Sequence, residues 1–102
     1  MRKVIGKRVF DTSTARLICK VSSRTHPGEF SWEDTSLYLS PKGQWFLAGK
    51  GNAYSRWGRE CVGGGFIPGD GVCLISEDEA CNVLEAEGLD SLIEQFFKLE
   101  VG

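Results

Sequence analysis

The stretch Leu37 to Gly51, LYLSPKGQWFLAGKG, constrains the fold most, because it reads as a β-hairpin that cannot stand alone. Leu37-Tyr38-Leu39 and Trp45-Phe46-Leu47 are short β-prone runs. Between them, Ser40 and Pro41 suit the first two positions of a type I turn, and Gly43 lets a longer loop rejoin its ladder. Strand alternation puts Leu37, Leu39, Trp45 and Leu47 on one face, and Tyr38 and Phe46 on the other. Both faces are thus apolar, and an isolated two-stranded hairpin is marginal in water. Further strands or helices must cover it.

The rest of the chain supplies both. At 102 residues it reads as one domain spanning 1–102, large enough to bury a core without staples. A hydrophobic content of 41% with 25% charged residues is that of a globular chain. No apolar run approaches the ~20 residues of a membrane span. The opening MRKVIGKRVF lacks the apolar core of a signal peptide, so a cytoplasmic location is expected. Cys19, Cys61, Cys73 and Cys81 show no C-x-x-C spacing, and His26 is the single histidine. They read as reduced, small apolar residues; no metal site and no cofactor is expected.

Lys3 to Phe10 reads either as a tight hairpin turning at Gly6-Lys7 or as one strand leading into a helix. Asp11, with Thr12 as rival, suits the N-cap of a helix over Ser13 to Val21, whose apolar stripe is Ala15, Leu17, Ile18 and Val21. Arg24 to Thr35 reads as a loop pinned to the core by Phe30 and Trp32, with His26 solvated in it. Gly49 and Gly51 mark the end of a strand; the phosphate-loop pattern G-x-x-x-x-G-K-[ST] is absent. Gly63 to Gly71 reads as a glycine-rich loop, followed by a short strand Val72 to Ile75 that can pair with the hairpin. Ser76-Glu77-Asp78-Glu79 matches a capping box, and Gly88 a helix stop. A last helix begins at Asp90 or Ser91 and packs Leu92, Ile93, Phe96, Phe97 and Leu99 inward. The expected fold is α+β: a small antiparallel sheet built on a central hairpin, packed against about three helices.

Two features bear on function. Tyr54, Arg56, Trp57 and Arg59 gather aromatic and guanidinium groups, the types that dominate interface hot spots and also stack on bases. The alternative is a short turn with Trp57 buried and the arginines solvated. Charge is also divided. Residues 1–60 hold 11 Lys/Arg and 5 Asp/Glu, a net +6, while residues 61–102 hold 1 and 9, a net −8. The halves either complement each other within the fold or present opposite signs to partners. No nucleophile with a base and an orienting partner is evident, and the acidic helix residues need no cleft to explain them, so no catalytic residues are expected.

Three segments carry a family resemblance. KVIGKRVFDTSTARLI resembles the opening K-V-I-x-G-K-x-Y-D-T-x-T-A of a family of small proteins carried on bacterial mobile elements, with Phe10 in place of tyrosine and one residue fewer before Gly6. SLYLSPKGQWFLAGKGNAYSRW is similar to that family's E-x-L-Y-x-x-x-x-G-x-[YW]-F-L-x-G-x-G-G-x-x-S-x-[YW], matching at Tyr38, Gly43, Trp45, Phe46, Leu47, Gly49, Gly51, Ser55 and Trp57, with Asn52 replacing the second glycine of the pair. CLISEDEACNVLEAE resembles I-x-P-L-[ST]-x-E-E-A at Ile75, Ser76, Glu79 and Ala80. The resemblance implies a place among phage and plasmid accessory proteins, which travel with anti-defence genes. The expectation is therefore a stoichiometric protein-binding inhibitor of a host defence complex, most concretely an anti-CRISPR protein and not an enzyme. Tyr54, Arg56, Trp57 and Arg59 are its expected anchors, and Glu77, Asp78, Glu85 and Glu87 its electrostatic contacts. The alternative is a nucleic-acid-binding accessory protein that touches phosphate through Lys7, Arg8, Lys50, Arg56 and Arg59.

Overall fold

The structure, a computed structural model, describes residues 1–23 and 25–102; Arg24, the first residue of the expected loop, lies outside them. In chain order the elements are β1 (Arg2–Ile5), β2 (Arg8–Asp11), β3 (Arg16–Val21), β4 (Glu33–Leu39), β5 (Trp45–Gly51), β6 (Arg59–Glu60), β7 (Phe66–Ile67), β8 (Gly69–Leu74), α1 (Glu77–Ala86) and α2 (Asp90–Phe96). The fold is α+β and mostly sheet, with two helices where about three are expected.

The expected hairpin is the centre of the main sheet. β4 and β5 pair antiparallel from Glu33↔Gly51 to Leu39↔Trp45, inside a four-stranded sheet ordered β3-β4-β5-β8. Directly paired residues share a face. Leu37, Leu39, Trp45 and Leu47 therefore point one way, towards α1 and α2, where they meet Ile75, Ala80, Leu84 and Ile93 in the larger core. Tyr38, Phe46 and Ala48 point the other way, where the β1–β2 hairpin covers them with Phe10. Phe46 is wholly buried, stacked on Tyr38 at 5.3 Å between ring centroids and met edge-on by Phe10 at 5.7 Å. Trp45 stacks on Phe97 at 5.5 Å and meets Phe96 edge-on at 5.4 Å. Burying an indole of ~200 Å² contributes on the order of 5 kcal/mol, so these rings hold the layers together.

The helix expected over Ser13 to Val21 is instead β3. Asp11 does not cap a helix. Its carboxylate accepts the Ser13 N–H at 2.9 Å and the Ser13 hydroxyl at 2.7 Å, an Asx-type turn that holds its acid below the usual value. One i→i+4 bond forms, from Ala15 N–H to the Asp11 carbonyl at 3.0 Å, and the chain then extends. A bulge between Leu17 and Cys19 explains why β3 hides its alternation. Past it, Cys19 and Val21 face the helices and Lys20 the other side. Sheet pairing with β4 outweighs the local helical pattern of Ala15, Leu17, Ile18 and Val21.

The second half follows expectation more closely. Ser76 Oγ accepts the Glu79 N–H at 3.1 Å and Glu79 Oε1 accepts the Ser76 N–H at 3.3 Å, completing the capping box. At the other end Gly88, at φ +69°, closes a Schellman motif: its N–H bonds the Glu85 carbonyl and the Leu89 N–H the Leu84 carbonyl, both at 3.0 Å. Leu92, Ile93, Phe96 and Phe97 pack inward; Leu99 is exposed, against expectation. The strand expected at Val72 starts earlier, at Gly69, and pairs with β5. No helix among the described residues is long and apolar enough to cross a membrane. With a radius of gyration of 14.9 Å against roughly 13 Å for a compact chain of this size, the molecule is elongated, 51 × 33 × 21 Å.

Candidate functional site

One end of the sheet, where β4 begins and β5 ends, has almost no side chains on its helix-facing side. The cross-strand rows there are Thr35↔Gly49↔Gly71 and Glu33↔Gly51↔Gly69. Gly49 thus lies inside β5, and Gly51 ends it as expected. Trp57 fills the space above them. A Cβ on Gly71 would stand 3.4 Å from the Trp57 ring, and one on Gly69 would run into the Trp57 carbonyl. Trp57 is 7% exposed and belongs to the larger core, which removes its ring from the expected set of anchors.

A chain of polar contacts fixes it there. Trp57 Nε1–H donates to Thr35 Oγ1 at 2.8 Å, and the Thr35 hydroxyl donates to Glu33 Oε2 at 2.7 Å. Arg56 Nε reaches the same Glu33 oxygen at 2.7 Å. Arg56 stays exposed while paired to Glu33, along the wall of an open cleft of about 500 Å³ that also holds Ser22, Ser31 and Glu87.

The loops around Trp57 are clamped by Asn52, which stands where the resembled family pattern has the second glycine of its pair. Its Nδ2 donates to the carbonyls of Pro27 at 3.0 Å and Glu29 at 2.6 Å. The Asn52 N–H bonds the Trp32 carbonyl and the Tyr54 N–H the Phe30 carbonyl, both at 2.8 Å. These bonds join the loop before β4 to the loop after β5. They leave three aromatic rings outside. Phe30 meets Tyr54 edge-on at 5.7 Å, and Tyr54 meets Phe66 edge-on at 5.6 Å. Phe30 is 71% exposed, Tyr54 64% and Phe66 52%; Ile67 beside Phe66 is exposed as well. Phe30 was expected to pin its loop to the core, and it does the opposite. Phe66, on the small β6–β7 hairpin, had not been singled out.

The other expected contacts scatter. Arg59 is exposed and pairs loosely with Asp70 at 3.5 Å. Glu77 and Asp78 are exposed in the first turn of α1, at the end of the sheet where β4 turns into β5. Glu85 is exposed and accepts the Cys81 thiol at 3.7 Å; burial, then Glu85, pushes that thiol's pKa up. Glu87 is held inside the fold, accepting the Ser22 N–H and hydroxyl at 2.7 Å each. It also helps burial raise the pKa of the Cys19 thiol. The residues expected to touch phosphate are divided too: Lys7 and Arg8 stand at one end of the sheet, Lys50, Arg56 and Arg59 at the other. Among the described residues, Arg59–Asp70 is the one ion pair joining the basic and acidic halves of the chain.

His26 lies exposed on its loop, Cys19, Cys61, Cys73 and Cys81 are free thiols, and no group of metal-ligating side chains converges among the described residues. What the arrangement offers is a rigid, exposed aromatic row. Compared with protein-family models, with curated proteins and with solved structures, the chain matches none.

Proposed function

We propose that this chain is a protein-binding inhibitor, docking stoichiometrically on a complex of a host defence system, most concretely a CRISPR effector. The observation that carries the binding part is the exposed row Phe30–Tyr54–Phe66. Large rings left in water cost hydration free energy, which a partner's surface removes. The Asn52 clamp already orders the loops that bear Phe30 and Tyr54, and the β6–β7 pairing holds Phe66, so docking forfeits little conformational entropy. Arg59, exposed nearby, supplies the guanidinium that often accompanies aromatic anchors. Trp57 acts from within, as a support of the row, and Arg56, exposed and paired to Glu33, braces the Thr35–Trp57 contact from the surface. Glu77, Asp78 and Glu85, exposed along α1, steer approach to a basic partner, with Glu87 positioning the end of that helix. The choice of a defence complex rests on the resemblance of the Lys3, Ser36 and Cys73 segments to mobile-element proteins.

The test is capture. Immobilised protein is exposed to a panel of purified CRISPR effector complexes, with and without nuclease. Nuclease-resistant capture of one complex at a fixed ratio, weakened by Phe30→Ser with Tyr54→Ser, is the expected result. Capture of none of them contradicts the choice of target, and capture indifferent to both substitutions contradicts the choice of surface.

A further inference from the structure

The opposite end of the molecule carries a second site. We infer that the groove between the β1–β2 turn and the β4–β5 turn binds a phosphate group. The two turns lie side by side and enclose about 330 Å³, at the small end of the range for ligand sites. Lys7, Arg8 and Lys42 line it, and no carboxylate does. Four other clefts among the described residues each hold at least one acid: Asp34, Asp70, Glu33 with Glu87, or Glu85 with Asp90 and Glu94. None of the three cations enters an ion pair among the described residues. Glu77, Asp78 and Glu79 start α1 on the other face of the sheet. Asp11 is occupied, its carboxylate accepting both Ser13 donors.

The groove is also preorganised. The Arg8 guanidinium lies 5.4 Å over the ring of buried Phe10, which fixes its direction. Ser40 Oγ accepts the Gln44 N–H at 2.9 Å, and its own proton has no acceptor among the described contacts, so it can donate to a ligand. Lys7 is the single non-glycine residue among those described with a left-handed backbone, at φ +64°. Gly6, at φ +57°, and Lys7 are the two central residues of the β1–β2 hairpin turn, a type I′ geometry that needs positive φ at both. Asn or Gly would hold the Lys7 position with less strain, and the turn sets this lysine on the edge of the groove. A fork-shaped donor, two point charges and a hydroxyl exceed what a carboxylate needs and suit the oxygens and higher charge of a phosphate. The phosphate can come from a nucleic-acid backbone or from a small phosphorylated molecule. The site is independent of the protein-binding proposal, since β4 alone separates the two ends by about 20 Å.

The experiment uses the full chain and two probes, fluorescently labelled dT15 read by anisotropy and sodium pyrophosphate as competitor. With three cations engaged, the log–log salt dependence of dT15 binding has a slope of roughly −2. Lys42→Glu lowers affinity about tenfold or more. Lys7→Asn lowers it several-fold without lowering the melting temperature, which separates loss of a contact from loss of fold. Arg59→Glu and Tyr54→Ser, at the far end, leave it unchanged. Competition by pyrophosphate identifies a site for free phosphates, and binding of dT15 without such competition identifies a backbone site; both support the inference. Absence of binding by either probe, or binding unaltered by Lys42→Glu and Lys7→Asn, overturns it.

Discussion

Thr35 is the one buried polar side chain among the described residues, and it both accepts from Trp57 and donates to Glu33. Thr35→Val keeps the shape and removes the acceptor, leaving the indole N–H buried without a partner. The expected cost is about 1–3 kcal/mol, read from the urea midpoint of unfolding. A change below about 0.3 kcal/mol would mean that the network does not hold Trp57. Lys7 works in the opposite sense. Relieving its left-handed backbone with Asn should stabilise the protein by about 1 kcal/mol, a rise in Tm of roughly 4–8 °C. Cys19 adds a pH dependence. Burial, then Glu87, raises its pKa above the ordinary 9.0, so the folded state holds the thiol proton more tightly than the unfolded chain. The stability this supplies is complete below pH 9 and is lost as pH rises through the folded value. Denaturation midpoints measured from pH 8 to 10.5 should fall more steeply for the wild type than for Cys19→Ala.

At the scale of elements, α1 was legible because its signals are local. Ser76, Glu79 and Gly88 fix its two ends within thirteen residues of sequence. Ser76→Ala should therefore cost about 1 kcal/mol, seen as a lower thermal midpoint with unchanged near-ultraviolet dichroism. The central hairpin was legible for the same reason, since Pro41 and Gly43 sit between two β-prone runs. β3 was not. Its bulge breaks the alternation, and Asp11 offers the same side chain to a turn as to a helix cap. The site was half legible for a related reason. Tyr54 and Trp57 are both aromatic residues of one loop, and what separates them is the row Thr35↔Gly49↔Gly71 beneath Trp57. That row exists only once β5 pairs with both β4 and β8. Phe30 and Phe66 come from loops far apart in the chain and are brought to Tyr54 by the Asn52 clamp and the β6–β7 hairpin, neither of which has a local sequence signature.

The whole molecule is polar along its sheet. One end carries the clamped aromatic row, and the other a groove whose charged lining residues are all cations. The acidic half of the chain supplies both helices together with β7 and β8, and it is joined to the basic half by a single ion pair among the described residues, from Arg59 to Asp70 on β8. The charge asymmetry in sequence is therefore mostly displayed rather than neutralised internally. Binding to a basic partner should weaken with salt, and Glu77→Lys with Asp78→Lys should slow association more than it speeds dissociation. The central claim is that the aromatic row disables a defence complex by occupying it. The most direct measurement is a titration of the protein into a fixed amount of the captured CRISPR effector, with target-DNA cleavage as readout. The account predicts that cleavage stops near one protein per effector and that Tyr54→Ala with Phe66→Ala requires about 30-fold more protein or greater. Cleavage that continues at a large excess of the wild type, or that both proteins stop equally well, would contradict it.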